Sequence, residues 1–415
     1  MSLLLALAAV ILATKLLGEV AQRFGRPAVL GEVVAGVLLG TSVLGVYDPG
    51  DPVLGSLAQI GVLVLMFQIG LATDLGSLRR SAGPAMMVAV AGVALPFAAS
   101  LLVVRAFGFP PLAAVVAAAA MTPTSVGISA RVLSDLGRLR SREGQIVLFA
   151  AVFDDIIGLI ILAVVSGIIA GGAVTWLGVG RTAGVAVGFV VVALVLASLA
   201  VPPLFRALER IRATGALGLI ALALAFALAW LAEVSGSAMI IGAFAAGLAL
   251  HPTPQRREIE TSMTALGHFF VPIFFAGVGA SVNVHALASA PALLMGAALF
   301  AVGALGKVAA GYAPWWLEGN KLLIGTGMIP RGEVELIIAQ MGIRSGAISQ
   351  EVFGAIMLVV AASTLVAPLL IERAVRFARL EREASSSDGG IEDLVAGAQR
   401  PERRTTPVSR RAELD

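Results

Sequence analysis

Of 415 residues, 58% are hydrophobic and 13% charged, the net charge is +3, and the mean hydropathy is +0.96. Soluble domains carry roughly 25% charged residues, so this composition excludes a soluble domain and points to an integral membrane protein in a lipid bilayer, with no sign of a nucleic-acid partner. The absence of cysteine excludes disulfides and thiolate metal sites.

Apolar runs of about 20 residues, each enough to cross a ~30 Å hydrocarbon layer as a helix, recur along nearly the whole chain. About thirteen spans are predicted, an all-α polytopic fold, starting near Ser2, Ala28, Val53, Pro84, Leu112, Gly144, Ala183, Thr214, Ala238, Ser262, Ala286, Leu322 and Val352. The first run, SLLLALAAVILATKLLGEV, lacks a basic n-region and reads as a retained span rather than a signal peptide. Alternate connections carry most of the Arg and Lys, among them Arg23 and Arg26, Arg79 and Arg80, Arg138, Arg140 and Arg142, and Arg256 and Arg257. The positive-inside rule then puts the N-terminus outside and the C-terminus in the cytoplasm of a multi-pass protein of the cell membrane. Residues 1–380 form the transmembrane domain, and the polar, nearly charge-balanced residues 381–415 are expected to be a disordered cytoplasmic tail. No G-x-G-x-x-G signature follows the last span, so no nucleotide-binding regulatory domain is expected.

Two pairs of short segments match at one spacing. MTPTSVG from Met121 returns as MIPRGEV from Met328, and FQIGL from Phe67 as FFAGV from Phe274, each 207 positions later. GEVVAGVLL from Gly31 returns more loosely as GAFAAGLAL from Gly242, 211 positions on. Spans 1–6 then repeat as spans 8–13 with span 7 as linker, and a displacement of seven spans inverts the second copy. The paired M-x-P elements fall within spans 5 and 12. Proline removes a backbone donor and clashes with the preceding turn, which predicts two helices broken in mid-membrane. Backbone groups released at that depth are tolerated only in protein or beside a cavity.

In AVFDDIIGLIIL, residues 151–162, two acids sit in the middle of span 6. Each carboxylate near the bilayer centre costs roughly 2.5–3.5 kcal/mol on insertion scales, which argues for a function. Helical neighbours point about 100° apart, so Asp154 and Asp155 cannot share one face equally. One is expected to face an ion cavity and the other a different partner. Protons and cations compete for such a carboxylate, and that competition suffices for exchange if the site can face either side of the membrane.

Lys307 in GALGKVAAGY can pair with an aspartate or snorkel to the interface. Arg331, Glu333 and Glu335 in PRGEVEL lie too deep to snorkel, and are expected to neutralise one another or reach the opposite broken helix. Thr122, Thr124 and Ser125 offer oxygens for a hard cation or bonds to their own backbone. Glu19 and Glu32 flank the Arg23/Arg26 loop, where neutralisation is the expected role. Gln68 reads equally as a deep polar group or a packing residue. His251, His268 and His285 have no ligand spacing, and no metal is assigned to them.

TPTSVGISARVLSDLG, AVFDDIIGLIIL, the lysine of GALGKVAAGY and GMIPRGEVELI, in this order and spacing, resemble the monovalent cation:proton antiporter-2 family, most closely its NapA-type bacterial sodium/proton antiporters. The resemblance covers about residues 10–378. It implies a transporter rather than an enzyme, with no cofactor and an NhaA/NapA-like fold. It also implies a homodimer with spans 1–3 and 8–10 as dimerisation scaffold, and spans 4–6 and 11–13 as a core that moves like an elevator. By similarity Asp155 is the main cation ligand and proton carrier, with Thr124 and Ser125 nearby. Asp154, the second aspartate of the cation site, pairs with Lys307, which couples charge to transport. Members with both aspartates and the lysine exchange two protons for one Na+ or Li+, a reaction that serves pH homeostasis. Glu335 departs from the pattern, because many members carry a small residue there. The alternatives are K+/H+ antiport, sodium-coupled uptake of an organic anion on a similar fold, and a channel or membrane sensor.

Overall fold

Within a bilayer every backbone N–H and C=O must be satisfied inside the protein, and a helix does this segment by segment. The computed structural model describes residues 3–73, 75–169, 216–235, 239–282 and 290–398, with glycines 180, 184 and 188, and contains helices and no strand among them. Eight of the helices are long and apolar enough to cross a membrane. The predicted span 7, from Ala183, lies largely outside the described residues, as does His285.

In chain order the helices are α1 (Leu3–Arg23), α2 (Ala28–Leu39), α3 (Pro52–Ala72), α4 (Leu75–Ala106), α5 (Pro111–Ala120), α6 (Val126–Asp135) and α7 (Arg142–Ile169). They continue as α8 (Ala216–Val234), α9 (Met239–Leu250), α10 (Arg256–Ala280), α11 (Ala290–Ala310), α12 (Lys321–Gly327), α13 (Glu333–Arg344) and α14 (Gln350–Ala398). Local chemistry sets several ends. Asp51 caps α3, its Oδ1 accepting from the N–H groups of Val53 and Leu54 at 2.8 and 3.0 Å, with Pro52 at the first helical position. Asn320 caps α12 in the same way through the N–H of Leu323, at 2.9 Å.

The chain divides into two units, Met1–Ala374 and Val375–Asp415. Inside the first, the helices pack in two sets. α1, α2, α3, α8, α9 and α10 pack on one another, and α4, α5, α7, α11, α12 and α13 form the second set. The second set and the start of α14 enclose an apolar core that includes Val104, Met121, Val165, Met295 and Ile356. The first set meets at glycine. A Cβ added to Gly36 would lie 2.1 Å from the Ala276 carbonyl oxygen, and one on Gly247 would lie 2.1 Å from that of Phe67. Small residues here let backbones touch, the main route to tight packing where lipid supplies no hydrophobic drive. In the second unit α14 runs on to Ala398, past the boundary at 380 where composition predicts disorder. Its ARLEREA run after Phe377 has high helix propensity, which a polarity criterion does not register; the SSSDGG that follows has low propensity, and nothing local accounts for the helix there. Residues 399–415 of that predicted tail lie outside the described part.

Candidate functional site

Two helices are interrupted at the predicted M-x-P elements. The first stops at Ala120 and resumes at Val126, and the second stops at Gly327 and resumes at Glu333. Pro123 and Pro330 cannot donate, and each disfavours helical geometry at the residue before it. The two unwound stretches satisfy each other. The N–H of Ser125 donates to the Pro330 carbonyl at 2.8 Å. The Ser129 hydroxyl donates to the Gly327 carbonyl at 2.6 Å, and Arg331 Nη1 to the Pro123 carbonyl at 3.3 Å. Thr124 Oγ1 lies 3.1 Å from the Met328 carbonyl.

The acid pair stands beside this crossing on α7. Asp154 is fully buried, and its Oδ2 accepts from Lys307 Nζ at 2.8 Å and from Thr124 Oγ1 at 2.6 Å. Lys307 is equally buried and also donates to the Thr122 carbonyl at 2.6 Å. Of the two readings left open for this lysine, the geometry is that of pairing. The lysine end lies against Gly92 of α4, where even a Cβ would keep ordinary van der Waals distance, 3.5 Å from Nζ. The Thr122 hydroxyl donates to the Ala119 carbonyl at 2.8 Å, so only its backbone serves the site.

Asp155, 5% exposed, looks elsewhere. It lines a cavity of about 510 Å³ whose walls include Tyr47, Gln59, Glu233 and Ser281, with the apolar Val62 and Phe274. It also lines a cavity of about 10 Å³ with Thr124, Ser125, Gly332 and Glu335. Arg331 and Glu335 are both buried, 3.7 Å apart, and Glu335 Oε2 accepts the N–H of Gly332 at 2.9 Å. Glu333 opens α13, and its side chain lies outside the described part. Among the described residues, no cluster of three His, Cys, Asp or Glu could hold a metal ion.

A third cavity, about 410 Å³, lies at the other end of α10 and is lined by Gln68, Arg131, Arg140, Glu260 and His268, not by the aspartates. Charge pairing at this end departs from the sequence expectation. Glu19 does meet Arg23, at 3.0 Å, but Glu32 is buried against Arg131 of α6 at 3.5 Å, and Arg26 meets Glu372 at 3.0 Å. Arg131 also holds Asp135 at 3.2 Å. The missed residues are Ser129 and Arg131. The four-residue spacing of Arg131 and Asp135 was a readable signal; nothing local pointed Ser129 at Gly327.

Interrupted helices that cross beside buried carboxylates, in a protein of many apolar spans, define the class of secondary ion transporters. The chain belongs to the sodium/hydrogen exchanger family, whose transmembrane region matches residues 6–376. It is 37% identical over 405 residues to the high-affinity Na+/H+ antiporter NhaS3 of Synechocystis, covering 88% of each chain. It is 34% identical to the Na+/H+-K+ antiporter GerN of Bacillus cereus, over 88% of this chain and 94% of that one. The fold matches the sodium proton antiporter MjNhaP1 from Methanocaldococcus jannaschii with a TM-score of 0.68 at 16% identity, covering 92% of this chain and 98% of that chain.

Proposed function

We propose that this chain is an electrogenic antiporter that exchanges Na+ or Li+ for protons across the cell membrane. One observation carries the reading. Two adjacent buried carboxylates have different surroundings: Asp154 is tied to Lys307 and Thr124, while Asp155 borders two cavities. In this reading Asp155 carries either the cation or a proton, with Thr124 and Ser125 supplying oxygens. Lys307 couples the charge: it releases its proton as the cation loads beside Asp154 and regains it as the cation leaves, so that together with the proton on Asp155 two protons exchange for one cation. Exchange follows if the loaded site turns from one side of the membrane to the other.

The two packing sets support an elevator in which α4–α7 and α11–α14 move against α1–α3 and α8–α10, the latter also forming the homodimer scaffold. The matched glycines support the inverted repeat: Gly31 touches α1 as Gly242 touches α8, and Gly36 touches α10 as Gly247 touches α3. The larger cavity lies at the Ser281 end of α10 and the Arg140-lined cavity at its Glu260 end. With basic loops inside, the N-terminus is outside, the C-terminus cytoplasmic, and Asp155 addresses the outer side in this conformation.

K+/H+ antiport is the second reading, favoured by the relative GerN, whose name includes K+. The test is proton movement in proteoliposomes driven by Na+, Li+ or K+ at fixed pH, with an imposed membrane potential. Activity with Na+ and Li+ that follows the potential is expected, and Asp155→Asn should abolish it. Unchanged exchange in that variant would sink the site assignment, and K+ as the preferred ion would favour the second reading.

A further inference from the structure

The cavity of about 10 Å³ beside Asp155 has the room of one water molecule, and hence of one bare monovalent cation. Three of its polar walls, Thr124, Ser125 and Asp155, are the proposed ion ligands. The fourth side chain is Glu335, which enters from the opposite interrupted helix and is 1% exposed. Its Oε2 accepts the Gly332 N–H at 2.9 Å. Its Oε1 accepts no hydrogen bond from a described residue, and Arg331 Nη1 stands 3.7 Å away, beyond hydrogen-bonding distance. That same Nη1 is engaged with the Pro123 carbonyl at 3.3 Å. A buried carboxylate oxygen left in this state is costly.

Asp154 Oδ1 likewise accepts no hydrogen bond from a described residue, but Asp154 does not line this cavity and its other oxygen is in contact with Lys307 at 2.8 Å. Arg331 and Glu335 lie four residues apart on one segment, a spacing that ordinarily lets them meet. The helix start holds the Glu335 carboxylate instead, through the Gly332 N–H, and keeps Oε1 short of the guanidinium. Gly332 also fits this arrangement, because a Cβ there would sit 3.1 Å from Ser125 Oγ and crowd the pocket.

We infer that Glu335 is a second carboxylate ligand of the transported cation, completing with Asp155, Thr124 and Ser125 an all-oxygen ligand set in a cavity of ionic size whose other walls include Val62, Val126, Ile240 and Phe274. This rests on the antiport reading above and deepens it. Two carboxylates in so small a space make a high-field site, which favours Na+ and Li+ over the larger K+. Arg331, attracted by Glu335 but not bonded to it, balances part of the charge when the pocket is empty.

The test is the dependence of rate on cation in proteoliposomes, for the wild type and for Glu335→Gln, Glu335→Asp and Asp155→Asn. Glu335→Gln, close in shape, should raise KM for Na+ and Li+ about tenfold or more, with the maximal rate within about twofold, and KM for K+ less. A tenfold change corresponds to about 1.4 kcal/mol. Glu335→Asp should recover part of the affinity. In detergent, the rise in Tm produced by Na+ should shrink in Glu335→Gln, a readout that needs no transport. Should Glu335→Gln fail to fold, the same two measurements on Glu335→Asp decide, with an intermediate KM expected. Unchanged KM values and an unchanged Na+-induced Tm rise, in an otherwise active protein, would overturn the assignment and leave Glu335 as a partner of Arg331 alone. A wild type that moves no protons with any of the three cations would instead overturn the antiport reading, which separates the two failures.

Discussion

Two buried ion pairs flank the helix crossing, and they are built differently. Lys307 and Asp154, 153 residues apart in sequence, meet at 2.8 Å, and each has a further partner in Thr122 and Thr124. Arg331 and Glu335, four residues apart, stand at 3.7 Å. A buried charge taken from water regains its cost only through close geometry and additional hydrogen bonds. The first pair is in contact, although Asp154 Oδ1 accepts no hydrogen bond from a described residue; the second has bonds to neighbouring backbone and an attraction between its charges without contact. The difference teaches that rigidity and reactivity can be placed side by side: the closed pair positions the crossing, and the carboxylate of the open one lines the ion-sized cavity.

Breaking the closed pair should have the largest effect. Lys307→Met leaves Asp154 charged and buried with a hydroxyl as its remaining partner, and we expect a loss of about 3–5 kcal/mol in unfolding followed by denaturant or heat in detergent. The double variant Lys307→Met/Asp154→Leu should regain most of this, since an apolar replacement of a whole buried pair is often neutral. If the single variant cost as little as the double, the pair would not be closed in the sense described. The open pair should be weaker. Arg331→Met is expected to cost about 1–3 kcal/mol, most of it from the Pro123 carbonyl and the approach to Glu335; a loss equal to that of Lys307→Met would erase the contrast. Smallest of all is Ser129→Ala, which removes one hydrogen bond across the crossing. A loss near 1 kcal/mol is expected, with the cation dependence of exchange unchanged, because Ser129 lies outside the ion-sized cavity. A change in cation preference in that variant would extend the site beyond Asp155, Thr124, Ser125 and Glu335.

Much of the site was legible in the sequence. The depth of Asp154 and Asp155 in an apolar run, and the 100° turn between helical neighbours, were enough to predict unequal surroundings. The M-x-P elements located both interruptions, since proline acts on its own turn and needs no tertiary partner. The alternatives for Lys307 are not separable in sequence, because a lysine near a helix end snorkels or pairs according to what distant segments offer, and here that is the Asp154 carboxylate and the Thr122 carbonyl. Glu32 is neutralised, as expected, but its partner Arg131 is set by a neighbouring helix for a similar reason. Its neighbours in sequence are the arginines of the loop, yet α2 begins only after Pro27 and carries Glu32 into its second turn, against α6. Beyond Leu380 polarity and propensity part company: Glu381–Ala384 favour a helix, whereas the Ser385–Gly390 run that follows does not.

What the sequence determined by itself was the solvent and the grammar: a protein of many helices in lipid, two proline interruptions, and two adjacent carboxylates deep in an apolar helix. These follow from composition, from helix period and from proline's missing donor, all properties of a residue and its near neighbours. Which carboxylate meets Lys307, which borders the cavities, and why Glu335 stops short of Arg331 were decided by tertiary structure. The first two depend on ångström distances between segments some 150 to 200 residues apart, set by how close glycines let backbones come and by where the unwound stretches find their hydrogen bonds; the third joins a local bond, Gly332 N–H to Glu335, to the hold of the distant Pro123 carbonyl on Arg331.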